Sequence, residues 1–228
     1  MTFSILGRCA QTGEFGCALA TSSMAVGGRC HFVAPGIGAV LSQARSDPVL
    51  GSFGLARLAA GRSAAEALSD MVASTPHAAW RQLAVLDRDG RIADYTGAKV
   101  SAPKRSAVAP GAVALGNAVA SDAVVDAILD AFAAAPQEPL AERLIAALES
   151  GLAAGGEPVP LRSAALRVAQ PGVPFTPIDL RVDLSPRPIA DLRRYWTMWA
   201  PMAAGYVARA LSPETAPSTD AIEGNEHG

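Results

Sequence analysis

The chain opens on two apolar runs, Phe3 to Cys9 and Phe15 to Ser22, separated by Gln11-Thr12-Gly13-Glu14. A Thr-Gly step between two such runs is a hairpin signal, so the fold begins with antiparallel strands. Neither run alternates strictly between apolar and polar residues, and both contain small residues and cysteine. Such strands are buried on both faces. The hairpin therefore needs cover on each side, either a layer of helices on each side or a second sheet.

The rest of the chain supplies those layers. A third strand is expected over Gly36 to Gln43, and apolar spacings of three and four predict helices over Pro48 to Ala60 and Ala64 to Ala73. Ser63 N-caps the second helix, with Glu66 completing a capping box. Arg81 to Asp87 and Arg91 to Thr96 flank the turn Asp87-Arg88-Asp89-Gly90 as a second hairpin. An ill-defined apolar stretch ends at Leu115-Gly116-Asn117. Ala-rich helices follow over Asp122 to Ala135 and Leu140 to Ala154, punctuated by Pro136 and Pro139. Late strands at Ser163 to Ala169 and Ile178 to Val182 precede a long final helix, Pro188 to Ala210. This order contains no βαβ alternation, so antiparallel sheets covered by helices are expected, an α+β layout. A single domain over 1–211 and a disordered Pro, Ser, Thr and acid-rich tail over 212–228 complete the expected organisation.

Composition excludes several function classes. Half of the 228 residues are hydrophobic, and 19 basic and 21 acidic residues are interspersed to a net charge of −2. A nucleic-acid partner is not expected from that balance. The apolar segments are broken before the roughly 18 residues a membrane span needs, and no secretory leader is recognisable, so a cytoplasmic protein without membrane association is expected. Cys9, Cys17 and Cys30 match no zinc spacing and read as buried free thiols. Gly27-Gly28, Gly36-Ile37-Gly38 and Gly155-Gly156 lack the register of a phosphate loop, so no nucleotide cofactor is implied. Asp179, Asp183 and Glu157 are too scattered for a metal set. His31, His77 and His227 belong to no GxSxG-type triad.

What remains is the N-terminus. Thr2 is small enough for methionine aminopeptidase to remove Met1, leaving a threonine with a free α-amine. That amine has a pKa of about 8 and can serve as base for the hydroxyl a few bonds away. Nucleophile and base then reside in one residue, and amide hydrolysis needs no histidine.

Several stretches together carry a family resemblance. They are the MTFSI start, Ala25-Val26-Gly27, GIGAVLSQA (36–44) with Pro48 and Gly51, DRDGRIADYTG (87–97), LGN (115–117), LAERLIAALESGLAAGGE (140–157), SAAL (163–166) and DLRVDLSPRPIADLRR (179–194). In combination they resemble a bacterial family of unknown function grouped with the N-terminal-nucleophile (Ntn) hydrolases, from Met1 to about Arg194. The resemblance implies a four-layer αββα sandwich, two antiparallel sheets facing each other with helices outside. It also implies that the nucleophile is the first residue of the mature chain, here Thr2, in an amidohydrolase acting on a C–N amide such as a cyclic amide or an acylated amino acid.

Candidate helpers follow from the chemistry. An oxyanion needs preorganised donors, and Asn117 at a strand end is the candidate. Ser22 and Ser23, where the second strand ends beside the start of the first, are placed to bond the Thr2 amine or hydroxyl. His31, Gln43 and Thr96 are candidate pocket groups, and Arg45 and Arg162 could grip a substrate carboxylate. The two lysines, Lys99 and Lys104, fall in a loop that reads as exposed, so neither is assigned to the nucleophile. No metal or cofactor is called for. The alternative is a non-catalytic binding or assembly protein on the same fold. In either case Trp196-Thr197-Met198-Trp199 would be the face of a homo-oligomer.

Overall fold

The computed structural model describes residues 1–224; the end of the tail, with His227, lies outside the described residues. In chain order the strands are β1 (Thr2–Arg8), β2 (Phe15–Thr21), β3 (His31–Ala34), β4 (Gly38–Ala44), β5 (Arg81–Asp87), β6 (Ile92–Thr96), β7 (Lys104–Ala109), β8 (Ala112–Asn117), β9 (Ser163–Ala169) and β10 (Ile178–Val182). The helices are α1 (Pro48–Ala59), α2 (Ala64–Ala73), α3 (Ala123–Ala134), α4 (Leu140–Ala153), α5 (Pro188–Leu211) and α6 (Thr219–Glu223).

The opening hairpin lies at the centre of a six-stranded sheet of order β10-β9-β2-β1-β8-β7, and β3-β4-β5-β6 form a four-stranded sheet. Every pairing is antiparallel. Side-chain parity sorts the layers. Phe3 and Ile5 of β1 point away from the second sheet into a core shared with Ile128, Phe132, Leu144 and Leu148 of α3 and α4. Leu6 of β1, with Cys17, Leu41, Leu86 and Leu115, fills the space between the sheets. Val40, Leu83 and Val85 face outward from the second sheet onto Leu50, Leu58 and Met71 of α1 and α2. The result is the expected αββα sandwich. Complete burial of Phe3 alone contributes roughly 2–3 kcal/mol of hydrophobic stabilisation.

Small residues set the layer spacing. A Cβ on Gly151 of α4 would come within 2.7 Å of Ile128, and one on Gly7 of β1 within 2.7 Å of the Phe132 ring. The predicted capping box at Ser63 and Glu66 is present, and the hairpin turn closes at Gly13, with φ of 75°.

Two features differ from the sequence reading. The stretch before Leu115-Gly116-Asn117 is a hairpin, β7 and β8, and His31–Ala34 is a strand in a stretch to which the sequence reading assigned no element. β3 is only four residues long, and β7 is a partly exposed edge strand beginning Lys-Arg-Ser, so neither carries a clear hydrophobic period. The aromatic segment of α5 is largely used inside the chain. Trp196 donates to Glu142 Oε2 at 2.9 Å and Trp199 to the Pro177 carbonyl at 3.1 Å, leaving Met198 and Tyr195 exposed. Within the tail, α6 packs on α5, where Ile222 lies over Gly205 and Tyr206 bonds Glu223. Among the described residues no helix is long and apolar enough to cross a membrane.

Candidate functional site

At the open end of the β1–β2 hairpin the inward-facing positions of four adjacent strands are all polar. Thr2 shares the inward parity of Ser4 and Leu6, and its register partner on β8 is Asn117. Across β2 it stands level with Thr21, whose own partner on β9 is Ser163. Asn117, Thr2, Thr21 and Ser163 thus form a row across the sheet, each with relative exposure of 5% or less. One step deeper the inward row turns apolar around Ser4, with Leu115 and Leu19 on either side.

The row is joined by hydrogen bonds. The Met1 carbonyl oxygen accepts from Thr21 Oγ1 at 2.7 Å and from the Thr2 hydroxyl. Thr21 Oγ1 also accepts from the Ser23 backbone N–H at 3.3 Å and lies 3.3 Å from Ser23 Oγ. Ser163 Oγ donates to the Ser23 carbonyl at 2.6 Å and accepts from the Val26 N–H at 3.1 Å. These bonds fix the turn that leaves β2.

That turn carries a buried carboxylate. Glu157, in the loop between α4 and β9, is 8% exposed, and its Oε2 accepts from the Ser22 N–H at 3.0 Å. Its Oε1 is buried with no hydrogen-bond partner among the described residues. Burial pushes the Glu157 carboxyl above the usual carboxylate range, opposed by hydrogen bonding from Ser22, the positive charge of the chain N-terminus and the Thr21 hydroxyl. The carboxylate is therefore within electrostatic reach of the Met1 amine.

On the other side of Thr2 a buried chain of amides crosses between the sheets. Ser4 Oγ donates to Gln43 Oε1 at 2.7 Å, and Gln43 Nε2 to Gln82 Oε1 at 2.8 Å. Asn117 Nδ2 donates to the same Gln82 oxygen at 3.1 Å. Gln82 Nε2 lies within 3.1 Å of Thr96 Oγ1, the Arg105 carbonyl and the Gly116 carbonyl. One amide hydrogen of Asn117 is anchored here, and Asn117 also lines a cavity of about 130 Å³ with Met1, Arg45, Trp80, Lys99 and Ser101.

Backbone strain gathers at the same place. Among the described residues the non-glycine residues at positive φ are Ala25 (53°), Ala44 (72°) and Ala118 (49°). Ala44 follows Gln43, Ala118 follows Asn117, and Ala25 ends the turn from Ser22. Each such conformation costs about 1–3 kcal/mol and persists only where its surroundings impose it, often at functional sites.

Of the residues singled out from sequence, Thr2, Asn117 and Arg45 are brought to or beside the cavity. Ser22 and Ser23 stand with Thr21 and Glu157. Gln43 and Thr96 belong to the buried amide chain behind Asn117, where their polar groups serve the fold. His31 is 2% exposed, and neither ring nitrogen has a hydrogen-bond partner among the described residues; it is influenced by Arg167, Asp179 and Arg181, and burial depresses its pKa to about 3. Arg162 is exposed, and its backbone N–H bonds the Thr21 carbonyl at 2.8 Å. The cysteines are free and buried, and among the described residues no group of acids, His or Cys could hold a metal. Sequence reading missed Thr21, Gln82, Glu157, Trp80 and Ser163 as parts of the site, and it left Lys99 unassigned. Thr21 and Ser163 follow from the register of two strands already legible, whereas the others come from loops and from the second sheet.

Comparison with known proteins places this geometry in a family. Residues 2–192 match the model of a family of unknown function, DUF1028. A crystal structure of protein SPO2555 from Silicibacter pomeroyi, of the same family, is similar with a TM-score of 0.81 and 32% identity, over 87% of this chain and 89% of that one. Anbu, an ancestral beta-subunit, from Yersinia bercovieri aligns at a TM-score of 0.39 and 10% identity, over 86% of this chain and 93% of that one. Anbu from Hyphomicrobium sp. strain MC1 aligns at 0.40 and 11%, over 96% and 99%. No curated protein matches the chain. The match over most of its length and the SPO2555 structure make the chain a member of the DUF1028 family.

Proposed function

We propose that the chain is an amidohydrolase of the N-terminal-nucleophile type that cleaves a C–N amide bond in a small molecule, with Thr2 as nucleophile after removal of Met1. The observation that carries this reading is the Met1 carbonyl held by the hydroxyls of Thr2 and Thr21, beside the buried Glu157 carboxylate. Loss of Met1 turns the Thr2 peptide nitrogen into an amine in that polar row and opens the space Met1 fills at the cavity.

Thr2 Oγ then attacks the substrate carbonyl carbon while the Thr2 amine takes the hydroxyl proton. The oxyanion meets the Asn117 amide, whose orientation Gln82 fixes and whose second hydrogen has no protein acceptor among the described residues. The amine passes its proton to the leaving nitrogen as the C–N bond breaks, and water hydrolyses the Thr2 ester with the amine again as base. Glu157 supports the base. The buried Glu157 carboxyl, its proton affinity raised by burial, is placed to take a proton from the amine and return it as the reaction proceeds. Thr21 and Ser23 hold the amine in place. A small-molecule amide substrate, a cytoplasmic setting and a homo-oligomer built through the exposed Met198 side of α5 belong to the same proposal.

The test is hydrolysis of a panel of small linear amides, cyclic amides and acylated amino acids by wild type and Thr2→Ala. Turnover by wild type alone supports the reading, and equal turnover by both ends it. The non-catalytic alternative predicts no turnover by either, and a retained Met1 would block the amine and exclude the catalytic reading.

A further inference from the structure

We propose that Arg45 and Lys99, both held against the Trp80 ring, form a carboxylate clamp, and that the amide this site accepts carries a free carboxylate. The inference rests on the proposed catalytic reading for its place in the reaction, but its geometry is independent of that reading. The Arg45 guanidinium lies 4.4 Å from the Trp80 ring centroid and the Lys99 ammonium 5.1 Å from it. Arg45, Trp80 and Lys99 line the same cavity as Met1 and Asn117.

Neither cation has an acidic partner among the described residues. The nearest carboxylate in sequence, Asp47, is taken by Arg81 at 3.4 Å. Glu157 lies behind the β2 turn, bonded to Ser22. Two uncompensated positive charges gathered on one ring repel each other, and cation–π contact at an exposed site offsets that only partly. An anion between them removes the repulsion.

The surroundings hold both charges in position. Ala44, in its left-handed conformation, turns the chain out of β4 immediately before Arg45, and Arg81 donates to the Arg45 carbonyl. The Lys99 loop is fixed by its own N–H to the Ala79 carbonyl at 2.8 Å and by Lys104 Nζ to the carbonyls of Gly97 and Ala98. Gly97 allows that approach, since a Cβ there would lie 2.4 Å from the Ala79 oxygen. Trp80 keeps the guanidinium face covered and leaves its N–H edge to bond a carboxylate. The substrate class that fits is a carboxylate-bearing amide such as an N-acyl amino acid, its acid at the clamp and its scissile carbonyl toward Thr2.

The experiment uses calorimetric titration of Thr2→Ala with N-acetylglycine and with its neutral counterpart N-acetylglycinamide, repeated on Arg45→Gln, Lys99→Gln and the pair combined in the same background. The anion is expected to bind about tenfold or more tightly than the amide, with that preference reduced by each substitution, abolished by both, and no change in affinity for the neutral compound. Both side chains are exposed, so unchanged melting curves verify the fold of each variant. Equal affinity for the two probes, no binding of the anion, or a preference that survives the double substitution overturns the clamp. Because Thr2→Ala is used, anion selectivity without turnover by wild type would sink the catalytic reading alone. Turnover of neutral amides without anion selectivity would sink the clamp alone.

Discussion

Thr21 and Met1 are joined across the open end of the opening hairpin by a hydrogen bond of 2.7 Å, from the Thr21 hydroxyl to the Met1 carbonyl. The same hydroxyl accepts the Ser23 N–H, so one buried group ties the chain start to the turn that carries Ser22 and Ser23. Thr21→Val keeps the shape and removes the hydroxyl that, once Met1 is lost, holds the Thr2 amine in the proposed mechanism. Turnover of a substrate found for wild type should fall about tenfold, the equivalent of one lost hydrogen bond, with little change in KM. A rise in KM with kcat unchanged would instead assign Thr21 to substrate binding.

Glu157→Gln should separate stability from catalysis. The carboxyl has its folded pKa raised, first by burial, so the native state binds more protons than the unfolded chain above the ordinary glutamate value. Stability from this group is present below that value and lost as pH rises through the folded one. Wild type and Glu157→Gln should therefore melt alike near pH 4, with the variant at least as stable at pH 7. Its turnover should fall and lose the acid-side limb of the pH profile. Melting and kcat/KM measured across pH test both; a variant as active as wild type with an unchanged profile removes Glu157 from the mechanism.

His31 predicts acid sensitivity of the fold. Its pKa is depressed from 6.5 to about 3, by burial first and then by Arg167. The unfolded chain thus binds the extra proton below about 6.5, and stability is lost as pH falls toward 3. Asp179 faces the same ring and moderates the effect. Thermal melts of wild type should drop more steeply between pH 6.5 and 4 than those of His31→Phe. Parallel curves would mean that the imidazole finds a partner when protonated.

Gln82→Leu removes the acceptor shared by Gln43 and Asn117 and the donor to Thr96 and two carbonyls. Leaving those buried groups unpaired should cost roughly 3 kcal/mol in denaturant unfolding. Turnover should fall further than stability explains, because Asn117 loses its anchor. A loss below about 0.5 kcal/mol, the ordinary size for a surface change, would show that the chain of amides is not structural.

Much of the fold was legible because its helices carry apolar spacings of three and four and its main strands are apolar runs bounded by turn signals. The β1–β2 hairpin reads as buried on both faces, and it is; Ser63 and Glu66 announce α2. β3 and β7 were illegible because a short edge strand needs little apolar pattern. The site divides the same way. Thr2 and Asn117 lie at the ends of readable strands and meet through their register. Glu157 could not be linked to Thr2 from sequence, since 155 positions separate them and only the packing of the β9 loop on the β2 turn brings the carboxylate to the amine. Gln43 read as a pocket group because a polar residue in an apolar strand signals a site, but a buried amide can equally be satisfied by another amide, here Gln82.

The central claim is that Thr2, freed of Met1, is the nucleophile. Its most direct test is peptide mass spectrometry of purified protein treated with a β-lactone, which opens on an N-terminal hydroxyl nucleophile to leave a stable ester. The account predicts an N-terminal peptide that begins at Thr2 and carries one acyl group, absent from Thr2→Ala. A chain that keeps Met1, or a label on another residue with Thr2 unmodified, would contradict it.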